Sequence, residues 1–245
     1  MVSLLHVLAA IVLTALTQVG GVAWLLALVA RGTGGFRLIR FTGAFVVLYL
    51  GFSAVAASLA PGFGRVALPC GEGGVQPVVL CAMNRHYADP ALRDMAVSLV
   101  RDVPGTRLLD AGFPLPGMPL LPHLSHHDGR KLDIALPFEG GAAFTGYWQF
   151  ADPRPGEPQP CKGQAGPLRW DMDWLQPALP DGRLDEDAAR ALLDWLARSG
   201  PAHGVEKVLV EPHLPHRLRV DSPLFRFQGC AAARHDDHIH VALGG

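Results

Sequence analysis

Charge is what the first quarter of this chain lacks. Residues 2–30 contain no Asp, Glu, Lys or Arg, nor do residues 41–64, and the first acidic residue is Glu72. Each stretch exceeds the roughly 20 apolar residues needed to cross a bilayer core. Cysteine is missing from the same region: Cys70, Cys81, Cys161 and Cys230 all come later. No Cys-x-x-Cys pair occurs, which argues against a structural zinc knot. The net charge of −1 carries no signature of polyanion binding, so nucleic acid is not an expected partner. Internal repeats and low-complexity segments are absent.

The first apolar stretch has no basic segment ahead of it and outruns the apolar core of a signal peptide, so it reads as a retained helix. Arg31, Arg37 and Arg40 lie between the two stretches with no acid among them. Gly32-Thr33-Gly34-Gly35 suits a short connection. Residues 1–64 are therefore expected to form a two-helix transmembrane hairpin. By the positive-inside rule its loop is cytoplasmic, both its ends face out, and residues 65–245 lie outside the cytoplasm. His6 and Gln18, within the first stretch, are cheap to place there. An even cysteine count in an exported domain suggests two disulfides, with three possible connectivities. Spacing favours Cys70–Cys81 as a local closure and Cys161–Cys230 as a long-range staple.

Residues 65–87, with Gly, Pro and two cysteines, read as a stem, and residues 88–245 as the folded domain. Asp89-Pro90 caps a helix whose apolar face is Leu92, Met95, Ala96, Leu99, Val100 and Val103, stopped by Pro104-Gly105. Thr106–Asp110 is a short strand candidate. Residues 112–122 have no period. In Lys131–Leu136, Leu132, Ile134 and Leu136 share one face and Asp133 lies on the other. Residues 138–169 are loop-rich. Trp148, Trp170 and Trp174 could line a groove or pack as core or lid. Asp185 opens a second helix with Ala189, Leu192, Leu193 and Leu196 as its stripe, ended by Gly200. Val205–Val210 and His238–Leu243 complete the strands. The order predicts an α+β fold: a small antiparallel or mixed sheet with flanking helices.

Near the end of the chain, His235-Asp236-Asp237-His238-Ile239-His240 packs three histidines and two aspartates into six positions. On a strand, His238 and His240 share one face while Ile239 and Val241 face the core. A second cluster runs from Ser125 and His126 through Gly129, which permits a tight turn, to Asp133. Two neutral imidazoles and a carboxylate make a three-ligand zinc set with a fourth position for water.

Ser-His-x-x-Gly-x-x-x-Asp followed by His-Asp-Asp-His-x-His resembles the penicillin-insensitive murein endopeptidases, and more broadly the lysostaphin, D-Ala-D-Ala metallopeptidase and hedgehog zinc fold. The resemblance covers roughly residues 88–245. It implies one zinc ion per chain, held by His126, Asp133 and His240. It makes His238 the base or transition-state stabiliser, with His235 a second catalytic imidazole. His123 matches a further family histidine. His123, Ser125, Asp236 and Asp237 are expected around the ligands or the substrate. The chain departs from the pattern at Pro122, His127, Arg130 and Lys131, beside the ligands, which bears on substrate preference. It lacks the Ser-Gly-Tyr-Arg-like sequence with which carboxypeptidases of the group hold a free carboxylate.

The implied function is a membrane-anchored zinc endopeptidase that cuts peptide cross-links of peptidoglycan. It would sit in the bacterial inner membrane with its catalytic domain on the periplasmic side. The alternatives are a D-Ala-D-Ala carboxypeptidase or dipeptidase, and a zinc-bearing wall-binding module without catalysis.

Overall fold

The structure, a computed structural model, describes residues 3–118, 121, 123–141, 146–162 and 182–244. Trp170 and Trp174 lie outside the described residues.

The N-terminal region departs from the expected hairpin. The first apolar stretch is two helices, α1 (Leu4–Thr17) and α2 (Gly20–Ala30). The break is at Gln18, whose φ of 65° no helix accommodates. Thr17 reinforces it: its hydroxyl donates to Leu13 O at 2.7 Å and accepts the Gly20 N–H at 3.0 Å. Gly20 and Gly21 then lie against α1, where a Cβ would collide with the Thr17 and Thr14 hydroxyls. The chain folds back on itself, so His6 meets Trp24 with ring centroids 6.0 Å apart. At 1.5 Å per residue, α1 and α2 are about 21 and 17 Å long, short of a core of about 30 Å. Among the described residues one helical run is long and apolar enough to cross a membrane. It is α3 (Arg37–Leu59) with its 3-10 extension to Phe63. Apolar composition alone did not reveal the break, because Gln18 and two glycines leave the hydropathy of the stretch high.

Residues 65–87 pack into the domain instead of standing off it as a stem. Strand β1 (Val66–Ala67) pairs antiparallel with β2 (Tyr87–Ala88). Leu68, Val75 and Leu80, the last on the short helix α4 (Val78–Ala82), join the core, and Arg85 is completely buried. Cys70–Cys81 closes this segment and Cys161–Cys230 spans 69 residues, the two pairings that spacing favours.

The domain proper is α+β. Helix α5 (Pro90–Asp102) is capped by Asp89, which accepts the Ala91 N–H at 2.9 Å. Helix α6 (Glu186–Arg198) is capped by Asp185, which accepts the Ala188 N–H at 3.0 Å. Their apolar stripes bury Leu92, Met95, Leu99, Leu192, Leu193 and Leu196 against one face of a mixed sheet. That sheet contains β3 (Lys131–Ala135), β4 (Val205–Leu209), β5 (Phe225–Arg226) and β6 (His238–Leu243), in spatial order β3-β6-β4-β5. β6 is antiparallel to both neighbours and β5 parallel to β4. The short helix α7 (His213–Leu218) lies between β4 and β5. Residues 107–110 run beside β3 without forming a regular strand, bonded through Leu109 N to Asp133 O and Asp133 N to Asp110 O, each at 2.8 Å.

Candidate metal centre

In the β3–β6 pair Asp133 stands opposite His240 and Ala135 opposite His238. Alternation then turns Asp133, His238 and His240 to the face away from α5 and α6, while Ile239 and Val241 enter the core. A 3-10 turn, Leu124–Asp128, brings His126 to this face and ends at Gly129 with φ 70°. Three donor atoms converge. His126 Nε2 lies 3.4 Å from Asp133 Oδ1 and 3.3 Å from His240 Nδ1, and the latter two are 2.8 Å apart. A tetrahedral ion with bonds of about 2.0–2.1 Å spaces its ligand atoms about 3.3 Å apart. The triangle fits such an ion, and its nitrogen and oxygen donors suit a borderline cation.

A second carboxylate belongs to the same cluster. Asp110, His123, His126 and Asp133 offer ligand atoms all within 4.8 Å of one another, so this buried group of Asp and His residues could hold a metal ion. His123 Nδ1 bridges Asp110 Oδ2 at 2.7 Å and Asp133 Oδ2 at 2.9 Å. Arg85 donates from Nε to Asp110 Oδ1 at 2.9 Å and pairs with Oδ2 as well. Tyr147 Oη donates to Asp133 Oδ2 at 2.9 Å.

Burial by itself would raise Asp133, yet His123, His126 and His238 hold its carboxyl well below the usual carboxylate range. Burial pushes His240 down to about 4 despite its bond to Asp133, which keeps the ring neutral, the form that can ligate. His235 is driven well down by burial and by the neighbouring His238 and His240. Burial works against protonation of His238, but Asp237 and Asp133 outweigh it and raise the ring. His238 Nδ1 lies 2.5 Å from Asp237 Oδ1, and Asp237 Oδ2 accepts the Trp148 N–H at 2.8 Å. A carboxylate only accepts, so Nδ1 carries the proton and Nε2 is the basic nitrogen of the neutral ring. Trp148 reaches this bond at φ 67°, a conformation costly for a bulky residue.

His123, Ser125, His235, His238 and His240 line an open cleft of about 520 Å³ over the donor triangle. The rings of His235 and His238 are 4.9 Å apart. Ser125 is exposed at the rim. Of the two aspartates only Asp237 reaches the cleft imidazoles. Asp236 turns behind them and takes Arg234 Nε at 2.9 Å and Nη2 at 2.5 Å, with His213 Nε2 3.7 Å away. Sequence reasoning passed over Asp110, Arg85 and Tyr147. Asp110 ends a strand candidate, a common place for an acid, and nothing local marks Arg85 or Tyr147. Compared with known proteins, the chain matches no family model and no curated sequence.

Proposed function

We propose that the chain is a zinc peptidase that hydrolyses peptide cross-links of peptidoglycan at the membrane surface. One observation carries the reading. Two motifs that resemble those of murein endopeptidases, with His126 and His240 114 residues apart, converge on one sheet face beneath an open cleft.

His126, Asp133 and His240 would hold the ion. Bound there, zinc would act as a Lewis acid on the scissile carbonyl and lower the pKa of water towards neutrality. The chain's own groups then handle protons. His238 Nε2, basic because Asp237 fixes Nδ1–H, takes a proton from water as oxygen bonds the carbonyl carbon. It returns the proton to the departing nitrogen as the C–N bond breaks, which leaves an amine and a carboxylic acid whose remaining proton is lost to the amine or to water. His235, kept neutral by burial, is a second acceptor beside it. Asp110 and Arg85 keep His123 against Asp133.

Two disulfides and one apolar run of membrane-spanning length support an extracytoplasmic domain on a membrane anchor. By the positive-inside rule, Arg31, Arg37 and Arg40 support a cytoplasmic start for α3 in a bacterial inner membrane, with the domain on the periplasmic side.

The test is digestion of purified murein sacculi by the zinc-loaded full chain, with and without chelator, read by mass spectrometry. Cross-linked fragments should give paired new amine and carboxyl ends, lost on chelation and restored by zinc. Release of terminal D-Ala alone would make it a carboxypeptidase. No new ends at all would leave a non-catalytic metal module.

A further inference from the structure

One end of the cleft is built differently from the histidine end. β6 places Ala242 on the cleft face, and both neighbouring strands set a lysine opposite it: Lys131 on β3 and Lys207 on β4. The sheet beneath the cleft therefore carries two successive rows. Asp133, His240 and Leu209 form one, and Lys131, Ala242 and Lys207 form the next. Rows on one face are separated by two residues, about 7 Å, and the two lysine Cα atoms by two strand spacings, about 10 Å. Ala242 is buried between them and puts only a methyl group there.

Lys207 owes its place to an irregularity. The β4–β6 register shifts between Val205 and Lys207, so Glu206 is unpaired. In an uninterrupted ladder Glu206 would face Ala242. The bulge turns it towards Gly244 and brings the lysine onto the cleft face, the re-aiming that bulges perform beside functional sites. Lys207 has no ion pair among the described residues and is exposed. Lys131 is paired with Asp128, whose other oxygen accepts the Arg130 N–H at 2.9 Å. Both lysines line the same cleft as His238 and His240, and no carboxylate does so among the described residues.

We infer that Lys207, with Lys131, forms a subsite for a carboxylate of the bound peptide, one row along the sheet from the metal centre. The proposed peptidase activity identifies the ligand as a wall peptide, and the inference rests on that reading for this identity alone. The carboxylate is either the free terminus of the peptide or the side chain of a residue next to the scissile bond. The two share one chemistry and differ in the test.

The experiment is calorimetric binding to the zinc-loaded full chain carrying His238→Ala, so that the peptide is not consumed. The probes are a cross-linked peptide dimer with free carboxylates, the same dimer fully amidated, and two dimers amidated only at the terminus or only at the side chain. The free acid should bind roughly fivefold tighter than the full amide, as an ion pair at a cleft mouth allows. The difference should shrink with added salt. K207Q should abolish most of this preference while zinc content and thermal midpoint stay at the parent values. K131Q should reduce it too, and K207Q carries the test if K131Q disturbs the adjacent turn. The singly amidated dimer that loses the preference identifies the carboxylate. Equal binding of acid and amide, no binding of either, or an undiminished preference in K207Q overturns the subsite. Charge-dependent binding by a chain whose wild type cuts no sacculi would instead retain the subsite and sink the peptidase reading.

Discussion

Arg85 and Asp110 are each almost completely buried, and each is the counter-charge of the other. Removing one leaves the other charged with no water to solvate it, a loss of about 3–5 kcal/mol for a buried pair. Asp110→Ala is expected to lower the thermal midpoint by several degrees and to weaken zinc retention through His123. A zinc-loaded variant with an unchanged midpoint would show that the pair has no structural role. His240→Ala and Asp133→Asn should each bring bound zinc to near zero, by elemental analysis, and abolish sacculus cleavage. Full hydrolysis by a zinc-free His240→Ala chain would contradict the ligand assignment. Away from the metal centre, His213 and Glu157 both contribute to the acid limb of stability. Burial lowers His213, so below about pH 6.5 the unfolded chain takes up a proton that the folded chain refuses, and stability falls with pH. The Arg217 hydrogen bonds hold Glu157 down to about 2, against an ordinary 4.5, so the stabilisation it gives above pH 4.5 is lost between 4.5 and 2. Glu157→Gln should flatten denaturation midpoints mainly in the lower window, because Glu157 is only a minor influence on His213.

The turn that carries His126 is gripped from outside the domain core. Arg65 Nη2 donates to His127 O at 2.9 Å, and Nη1 is bonded to Asp128 O. Gly129 must stay bare here, because a Cβ would collide with the Arg65 guanidinium. Arg65→Gln and Gly129→Ala should each weaken zinc affinity roughly tenfold or more, the range for partners that orient ligands, in a chelator competition. Affinity equal to wild type in both would mean the turn holds itself. Elements whose signals are local were legible in the sequence. Asp89-Pro90 and Asp185 mark the starts of α5 and α6 through their own caps, and β6 follows from its alternation. Asp133, His238 and His240 share a face for the same reason. Elements that depend on distant partners were not legible. Arg65 and Arg85 acquire their meaning from carbonyls and a carboxylate 25 to 63 residues away. The break at Gln18 depends on a backbone torsion that hydropathy does not register.

The helical bundle and the domain meet through hydrogen bonds. Gln18 Nε2 donates to Leu115 O at 2.6 Å, Tyr49 Oη to Ala82 O at 2.6 Å, and Asn84 Nδ2 to Ser53 Oγ at 2.9 Å. Because α1 folds back along α2, residue 3 lies at the arginine end of the bundle and not at the domain end. All four cysteines are in disulfides, so single cysteines can be added as labels. In intact spheroplasts Ser3→Cys and Gly34→Cys should both resist a membrane-impermeant thiol reagent, and Asp221→Cys should react. Labelling of Ser3→Cys from outside would restore a pair of spanning helices. The junction at Arg65 also sets a working distance. The apolar run ends at Phe63, and two residues later the chain is already bonded to the turn that holds His126. A catalytic head on a flexible tether sweeps a volume and samples wall at many depths. Here only Gly64 separates the apolar run from Arg65, which leaves no length of chain for such a tether. On the proposed reading, a wall peptide reaching the cleft would belong to the layer next to the bilayer, and wall farther out would lie beyond it.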